Sequence, residues 1–419
     1  MYKRISGRLV AAVVTNLVLI SMASAATYYV RAGATGSGNG ADWTNAWSSM
    51  TSINQSLLKP GDIVYIAGGN YGRLGIDKSG AAGSPLTFKR ATATEHGTST
   101  GWSSNYDARV VIDGGDAQSG IGIGEGVYAA QSYITIDGVT RNGIWVKNAY
   151  YGVRAGYAAH NLTLRNLEIG DSGAGRLDED GIQGKGNNLL VENCYIHDND
   201  SGVTHGDNIQ WFEGNGITLR YNIFKNGGQM FKMGEEAFST TVSNVNIYYN
   251  LFYNRGGTHY NGMVFAVGTP QAGAQVNIYN NTFDLEATAD NGYNSLFYPL
   301  SGSGTVNFKN NAVLYANGSQ ITNTNHSNNA YDNSGSQIAY NIPSTESGRV
   351  VAGDLGFVNL SAADYHLAAG SPLIGKGVSV GLTRDFDGKP VPATPSIGAF
   401  EAGSAAPVAL APPSNLLAN

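Results

Sequence analysis

The sequence predicts an all-β chain, a single-stranded right-handed parallel β-helix with an N-terminal capping helix. Three observations carry this expectation. A unit of the form apolar-x-apolar-x-x-small-x-apolar begins at Ile134, Leu162, Leu189, Ile217, Val245, Val276 and Val306, at intervals of 27 to 31 residues, and a period in that range marks a solenoid. Between the units stand Gly, Asn, Asp and short alternating runs such as DNIQWF and MVFAV; these are strand and turn signals, not the Leu-rich return segments of a leucine-rich repeat. Finally, Asn222, Asn250, Asn281 and Asn311 share one register, where stacked amides can bond along the stack and tolerate left-handed backbone. Val139, Leu167 and Cys194 hold the same register in earlier units. Each coil should therefore hold two or three short strands, paired in parallel with the next at about 4.8 Å.

In chain order, Met1 to Ala25 carries Lys3, Arg4 and Arg8, then the apolar run LVAAVVTNLVLISMA, then Ala23-Ser24-Ala25. That is the three-part pattern of a secretory signal peptide, with an apolar run short for a stable membrane span. A secreted protein, periplasmic or extracellular, with no membrane span in its mature form is expected. Residues 26–402 form the β-helix domain and 403–419, Ala/Pro-rich, a flexible tail. Thr27 to Arg31 alternates like a first strand. Trp43, Trp47, Met50, Ile53 and Leu57 recur near helical spacing and stop at Pro60-Gly61, so an amphipathic helix is expected to cover the open end of the stack. GDIVYIAGGNYG (61–72), PLTFKRA (85–91) and RVVIDGG (109–115) read as early coils.

Composition narrows the partners. Charged residues are only 13% and the formal net charge is −6, which argues against nucleic acid or an anionic membrane. A polyanion could still bind through local basic residues or a bridging cation. A solenoid grows without one enlarging core, so a single elongated domain, expected to be a monomer, suffices. Cys194 is the only cysteine, which rules out an intramolecular disulfide, and its inward register makes it a packing residue.

The chemistry gathers in the middle coils. LDEDGIQG (177–184), HGDNIQWF (205–212) and QMFKMGEE (229–236) each precede a packing unit. Asp180 and Asp207 occupy matching positions one coil apart, so they should stack about 5 Å from each other. Like charges that close need a bridging cation or a proton, unless solvent on an outward face screens them. With Asp178, Glu179 and His205 nearby, a hard oxygen-ligated cation such as Ca²⁺ is a fitting occupant, with Asp178, Asp180 and Asp207 as ligands. Lys232 sits among Met230, Phe231 and Met233. Such a lysine either snorkels or, with its pKa lowered from ~10.4 by partial burial and a nearby cation, serves as a base.

Some of these segments resemble a known family. TYYVRAG, the Trp43–Leu57 segment and PGDIVYIAGGNYG resemble the opening of secreted right-handed β-helix polysaccharide-degrading enzymes. GDLGFVNLSAADYHLAAGSPLIGKG with DFDGKPVPATPSIGAFEAG resembles their closing segment. DEDGIQ (178–183), a later coil, and then Lys232 in FKMGEE resemble family 9 pectate lyases. The resemblance implies calcium bound by clustered aspartates, with Asp180 matching the second acid of the family's D-D-G-I segment, and a lysine base, here Lys232. This chain departs from the pattern in carrying Glu179 between Asp178 and Asp180, and Gln183 where another acid is common.

β-Elimination from an acidic polysaccharide needs a neutralised carboxylate, a base near C5 and a donor to the leaving oxygen. Ca²⁺ on Asp180 and Asp207 could supply the first and Lys232 the second; Arg154, His205 or Tyr260 could assist. Lys232, Asp207 and His205 are thus the catalytic candidates. Arg154, Gln183, Gln210, Trp211, Glu235 and Tyr260 are the candidate substrate contacts, and of the aromatics Trp211, Tyr249 and Tyr253 could each line a sugar-stacking groove or pack inward. Two rival readings remain open: a glycoside hydrolase using paired carboxylates such as Asp180 and Asp207, and a non-catalytic carbohydrate-binding β-helix using the Asn- and Tyr-rich coils of residues 246–330. Convergence of Asp180, Asp207 and Lys232 in one groove would favour catalysis.

Overall fold

The computed structural model describes residues 25–403 except 116, 125–129, 172–179, 200–205, 235–241, 254–262, 268–271, 286–294, 298–303, 316–320, 322–323, 334–342 and 344. Residues 1–24 of the expected signal peptide and residues 404–419 of the expected tail lie outside the described residues.

The central coils each pass through three sheets, named here A, B and C in the order the chain visits them. Among the described residues sheet A has eleven strands, from Thr27–Val30 to Asn325–Ser327; sheet B has eleven, from Gly69–Tyr71 to Val350–Ala352; sheet C has eight, from Leu74–Ile76 to Ser295–Phe297. Successive coils pair in parallel, and the repeat read from sequence falls in register on sheet A: Leu86 opposite Ile134, Ile134 opposite Leu162, Leu162 opposite Leu189, then Ile217 opposite Val245 and Val276 opposite Val306.

Alternation along these strands sends every second side chain inward. Ile134, Ile136, Leu162, Leu164, Leu189 and Val191 are at most 2% exposed, and full burial of such a side chain contributes about 1.5–3 kcal/mol. On sheet B the inward row becomes an aromatic column, with Phe224 stacked on Phe252 at 4.7 Å and Phe252 on Phe283 at 5.0 Å.

The corner between sheets A and B explains the Asn column. From Leu167 onward the residue before each ladder position takes the left-handed conformation, among them Asn193, Tyr221, Tyr249, Asn280 and Asn310, whereas Val139 is itself left-handed and so does not hold the register its spacing suggested. The ladder asparagines are not left-handed, so their value is hydrogen bonding alone. Oδ1 of Asn222 accepts from Cys194 N, that of Asn250 from Asn222 N, and that of Asn281 from Asn250 N, each at 2.9 Å. The ladder continues through Asn311 and Asn329 and ends on Glu346, whose Oε1 accepts from Asn329 N at 2.7 Å. Cys194 is a buried packing residue, its thiol pushed up to about 12 chiefly by burial.

The expected capping helix is instead two 3₁₀ turns, Met50–Ser52 and Gln55–Leu57. Side-chain capping is the cause. Ser49 closes a capping box with Ser52, and Asn54 accepts from Ser56 N, so short polar side chains break the helix and restart it. The segment still covers the first coil, because Trp47, Met50, Ile53 and Leu58 join the main core.

After an antiparallel hairpin of Phe357–Asn359 with Asp364–Leu367, the chain returns along the outside of sheet B. There Tyr365, Phe386 and Phe400 pack on Tyr195, Ile223 and Leu251. Among the described residues no helix is long and apolar enough to cross a membrane.

Candidate active site

Sheet C carries the candidate residues in two rows. Its outward row runs Gly75, Gly122, Arg154, Gln183, Gln210, Lys232, each opposite the next across a parallel pair. Arg154 and Lys232 therefore lie three strand spacings apart, roughly 14 Å. The second row holds the residue three positions earlier in each coil. Gly152 N donates to Asp180 O at 3.0 Å and Gly181 N to Asp207 O at 2.8 Å, and Asp207 bridges to Gln229. Tyr151/Arg154, Asp180/Gln183, Asp207/Gln210 and Gln229/Lys232 are thus one motif repeated in four coils.

Asp180 and Asp207 do stack, as their spacing predicts, but they are not outward and solvent-screened: they are 2% and 0% exposed. Asp180 is tied on both oxygens. Its Oδ2 accepts from Gln183 Nε2 at 2.8 Å and its Oδ1 from Asp207 N at 3.0 Å. Gln183 Nε2 also donates to Gln210 Oε1 at 2.9 Å, which links the two rows.

Tyr151 completes the cluster. Burial raises its hydroxyl pKa first, the Asp180 charge adds to the rise, and a hydrogen bond with Gln183 opposes it. The Arg154 guanidinium lies 4.8 Å over the Tyr151 ring, a cation–π contact. The sequence reading missed Tyr151 and Gln229, although the three-residue offset repeated through Asp180/Gln183 and Asp207/Gln210 would have pointed to both.

The charges of this face differ from those of the other two. On sheets A and B, Arg109 pairs with Glu168, Arg165 with Asp137, Arg220 with Glu192 and Lys225 with Asp198. Among the described residues neither Arg154 nor Lys232 has a carboxylate partner. Lys232 is half-buried between the inward Phe231 and Met233, both 0% exposed. An acidic group crossing this row would meet two cations separated by two amides.

Trp211 is not a substrate contact. Strand alternation points it inward, where it is 1% exposed and its Nε1 donates to Gly186 O at 2.9 Å. Tyr249 and Tyr253 are likewise buried, at 0% and 6%, Tyr253 against Tyr365 of the returning terminal segment. Asp178, Glu179, His205, Glu235 and Tyr260 lie outside the described residues.

For a cation, the described residues supply Asp180 and Asp207 and no group of three or more His, Cys, Asp or Glu side chains. Ca²⁺ takes six to eight oxygens, and both Asp180 oxygens already accept hydrogen bonds. These residues alone do not fit the ion.

The N-terminal end of the outward row opens into a groove of about 440 Å³ lined by Arg73, Gly75, Asp77, Gly122 and Gln131. A larger groove, about 480 Å³, lies on sheet A, away from these residues.

No protein-family model and no curated protein sequence matches the chain. Among solved structures, pectate lyase Pel9A is similar at 17% identity and a TM-score of 0.53, covering 91% of this chain and 98% of its own. An alginate lyase from Paenibacillus sp. str. FPU-7 overlays at 14% identity and 0.45, over 78% and 97% of the two chains. The GH136 lacto-N-biosidase from Eubacterium ramulus overlays at 13% and 0.38, over 78% and 66%. The first likeness establishes the fold, a parallel β-helix of the pectate lyase kind, and the other two are too loose to bear on chemistry.

Proposed function

We propose that this protein is a secreted polysaccharide lyase that cleaves an acidic, uronate-containing glycan by β-elimination. The observation that carries the reading is the outward row of sheet C, where Arg154 and Lys232, without carboxylate partners among the described residues, flank the amides of Gln183 and Gln210.

In this reading the glycan lies along the row. Arg154 binds a uronate carboxylate and the Gln183 and Gln210 amides orient sugar hydroxyls. Lys232 acts as the base that takes the C5 proton; the C–H electron pair forms the C4–C5 double bond, and the C4–O bond breaks. The leaving oxygen collects a proton from a donor, for which His205 and Tyr260 remain candidates. Ca²⁺, if bound with ligands beyond Asp180 and Asp207, would neutralise the uronate carboxylate and acidify C5. Asp180 holds Gln183 in place through its hydrogen bond.

A hydrolase would instead use Asp180 and Asp207 as acid and base or nucleophile. Their burial and the hydrogen bonds on Asp180 leave little carboxylate open to a glycosidic oxygen, so the lyase is favoured.

The deciding experiment follows ultraviolet absorbance of unsaturated products on a panel of polyuronides and bacterial exopolysaccharides. Wild type should give a rise that Lys232→Ala reduces by about 10²-fold or more. New reducing ends without absorbance would overturn the lyase reading.

A further inference from the structure

The sheet A groove is a different surface, on a different face, made wholly of described residues. Its floor is the outward row Thr135, Thr163, Leu190, Thr218, each opposite the next. One rim is the left-handed corner Tyr133, Asn161, Asn188 and Gly216, and Arg220 and Tyr248 close the far side.

Three features of this groove point to a ligand. First, the threonine hydroxyls have no hydrogen-bond partner among the described residues. In the later coils the same row is asparagine and is internally satisfied, with Asn277 Nδ2 donating to Asn246 Oδ1 at 3.0 Å and Asn307 Nδ2 to Asn277 Oδ1 at 2.8 Å. Through the groove the row thus presents unpartnered hydroxyls, whereas beyond Thr218 its side-chain amides bond to one another.

Second, Tyr133 occupies a position that Asn161, Asn188 and Gly216 fill in the next three coils, at φ 57°. Asn and Gly adopt that conformation cheaply, whereas a bulky side chain does not. Tyr221 and Tyr249 also adopt it; Tyr249 is buried and Tyr221 stacks on it. The half-buried Tyr133 ring has no aromatic partner among the described residues and lines the groove. An uncovered aromatic ring at the edge of a polar groove is suited to stack on the apolar face of a sugar.

Third, the charges beside the floor cancel. Asp137 pairs with Arg165 and Glu192 with Arg220, so the groove offers hydroxyls, amides and a ring with little unpaired charge. That is the complement of an uncharged glycan, and the opposite of the Arg154–Lys232 row.

We propose that the outer groove of sheet A is a second, non-catalytic site that holds an uncharged polysaccharide chain, lying across the coils with its hydroxyls on Thr135, Thr163 and Thr218 and one sugar ring on Tyr133. The site does not depend on the chemistry of sheet C.

The test is affinity electrophoresis of the mature protein through gels holding xylan, galactomannan, hydroxyethyl cellulose, β-glucan or dextran, with a polyuronate gel as the charged control. At least one neutral glycan should retard the protein. Tyr133→Asn, which puts the residue of the next two coils in place of the phenol ring, should weaken that retardation about ten-fold with no fall in Tm. Thr163→Arg should abolish it. Neither change should alter depolymerisation of an acidic glycan, should the enzyme have that activity, so failure of the lyase reading and of this one are separately visible. The proposal is overturned if no neutral glycan retards the protein, if only polyuronate does, or if retardation survives Thr163→Arg. A concentration-dependent dimer that Thr163→Arg dissolves would also overturn it, by showing a second copy of the chain as occupant.

Discussion

The backbone N–H of Asp207 donates to Oδ1 of Asp180 at 3.0 Å across one coil, with both carboxylates nearly excluded from solvent. The bond locks the second row of sheet C to the first, because the other Asp180 oxygen accepts from Gln183. Asp180→Ala would leave two donors without their acceptor, each costing about 1–3 kcal/mol when buried. We expect a loss of about 2 kcal/mol or more in urea unfolding, against little change for Lys232→Ala. Equal stability of the two variants would show that the Asp180 bonds are not structural.

Calcium dependence separates two ways of neutralising the substrate. If a divalent ion sits on Asp180, Asp207 and further ligands, chelation should lower product formation about ten-fold or more and added Ca²⁺ should restore it, with Asp207→Asn raising the concentration required. Activity that ignores chelator would leave Arg154 as the neutralising group, and Arg154→Ala should then raise KM.

The asparagine ladder is a stability element with a directional test. Asn281 accepts from Asn250 N and donates to Ile247 O and Tyr279 O. Asn281→Ala should cost about 2–3 kcal/mol by stranding those backbone groups, read as a lower urea midpoint at unchanged m-value. A cost under about 0.5 kcal/mol would show that water replaces the side chain.

His197 sets a pH limb. Burial alone would disfavour its imidazolium, but hydrogen bonds and charge from Asp198 and Glu168 outweigh burial and raise its pKa. Its contribution is therefore complete below the unfolded value of ~6.5 and fades as pH rises through the native value. Asp198 works in the other direction. Burial would raise it, yet His197, Lys225 and Asn226 hold it down to about 2, so its contribution fades as pH falls from ~3.8 toward that value. Stability should peak between these limbs, and His197→Gln should flatten the alkaline one. His366, raised in the same way between Asp364 and Asp387, leaves a residual slope. An unchanged slope in His197→Gln would reject the assignment.

Much of the architecture was legible in the residues. Periodic pairs such as Leu162/Leu164 and Ile217/Leu219 must face inward because a strand alternates with period two, and a repeat of 27 to 31 residues admits few other solenoids. The Asp180/Asp207 stack and the alignment of Gln183 with Gln210 followed from equal spacing alone. Trp211 left two readings open, a sugar platform or inward packing, and alternation from the outward Gln210 decides for the second.

What the sequence by itself determined is the coil, since period, alternation and the asparagine column are local chemistry repeated at fixed intervals. What only the tertiary structure decided is environment. The burial of Asp180 and Asp207 and the covering of Tyr253 by the returning C-terminal segment depend on side chains that are one coil apart in space or more than a hundred residues apart in sequence. Desolvation and pairing are properties of the neighbours a residue acquires on folding, and no local pattern encodes them.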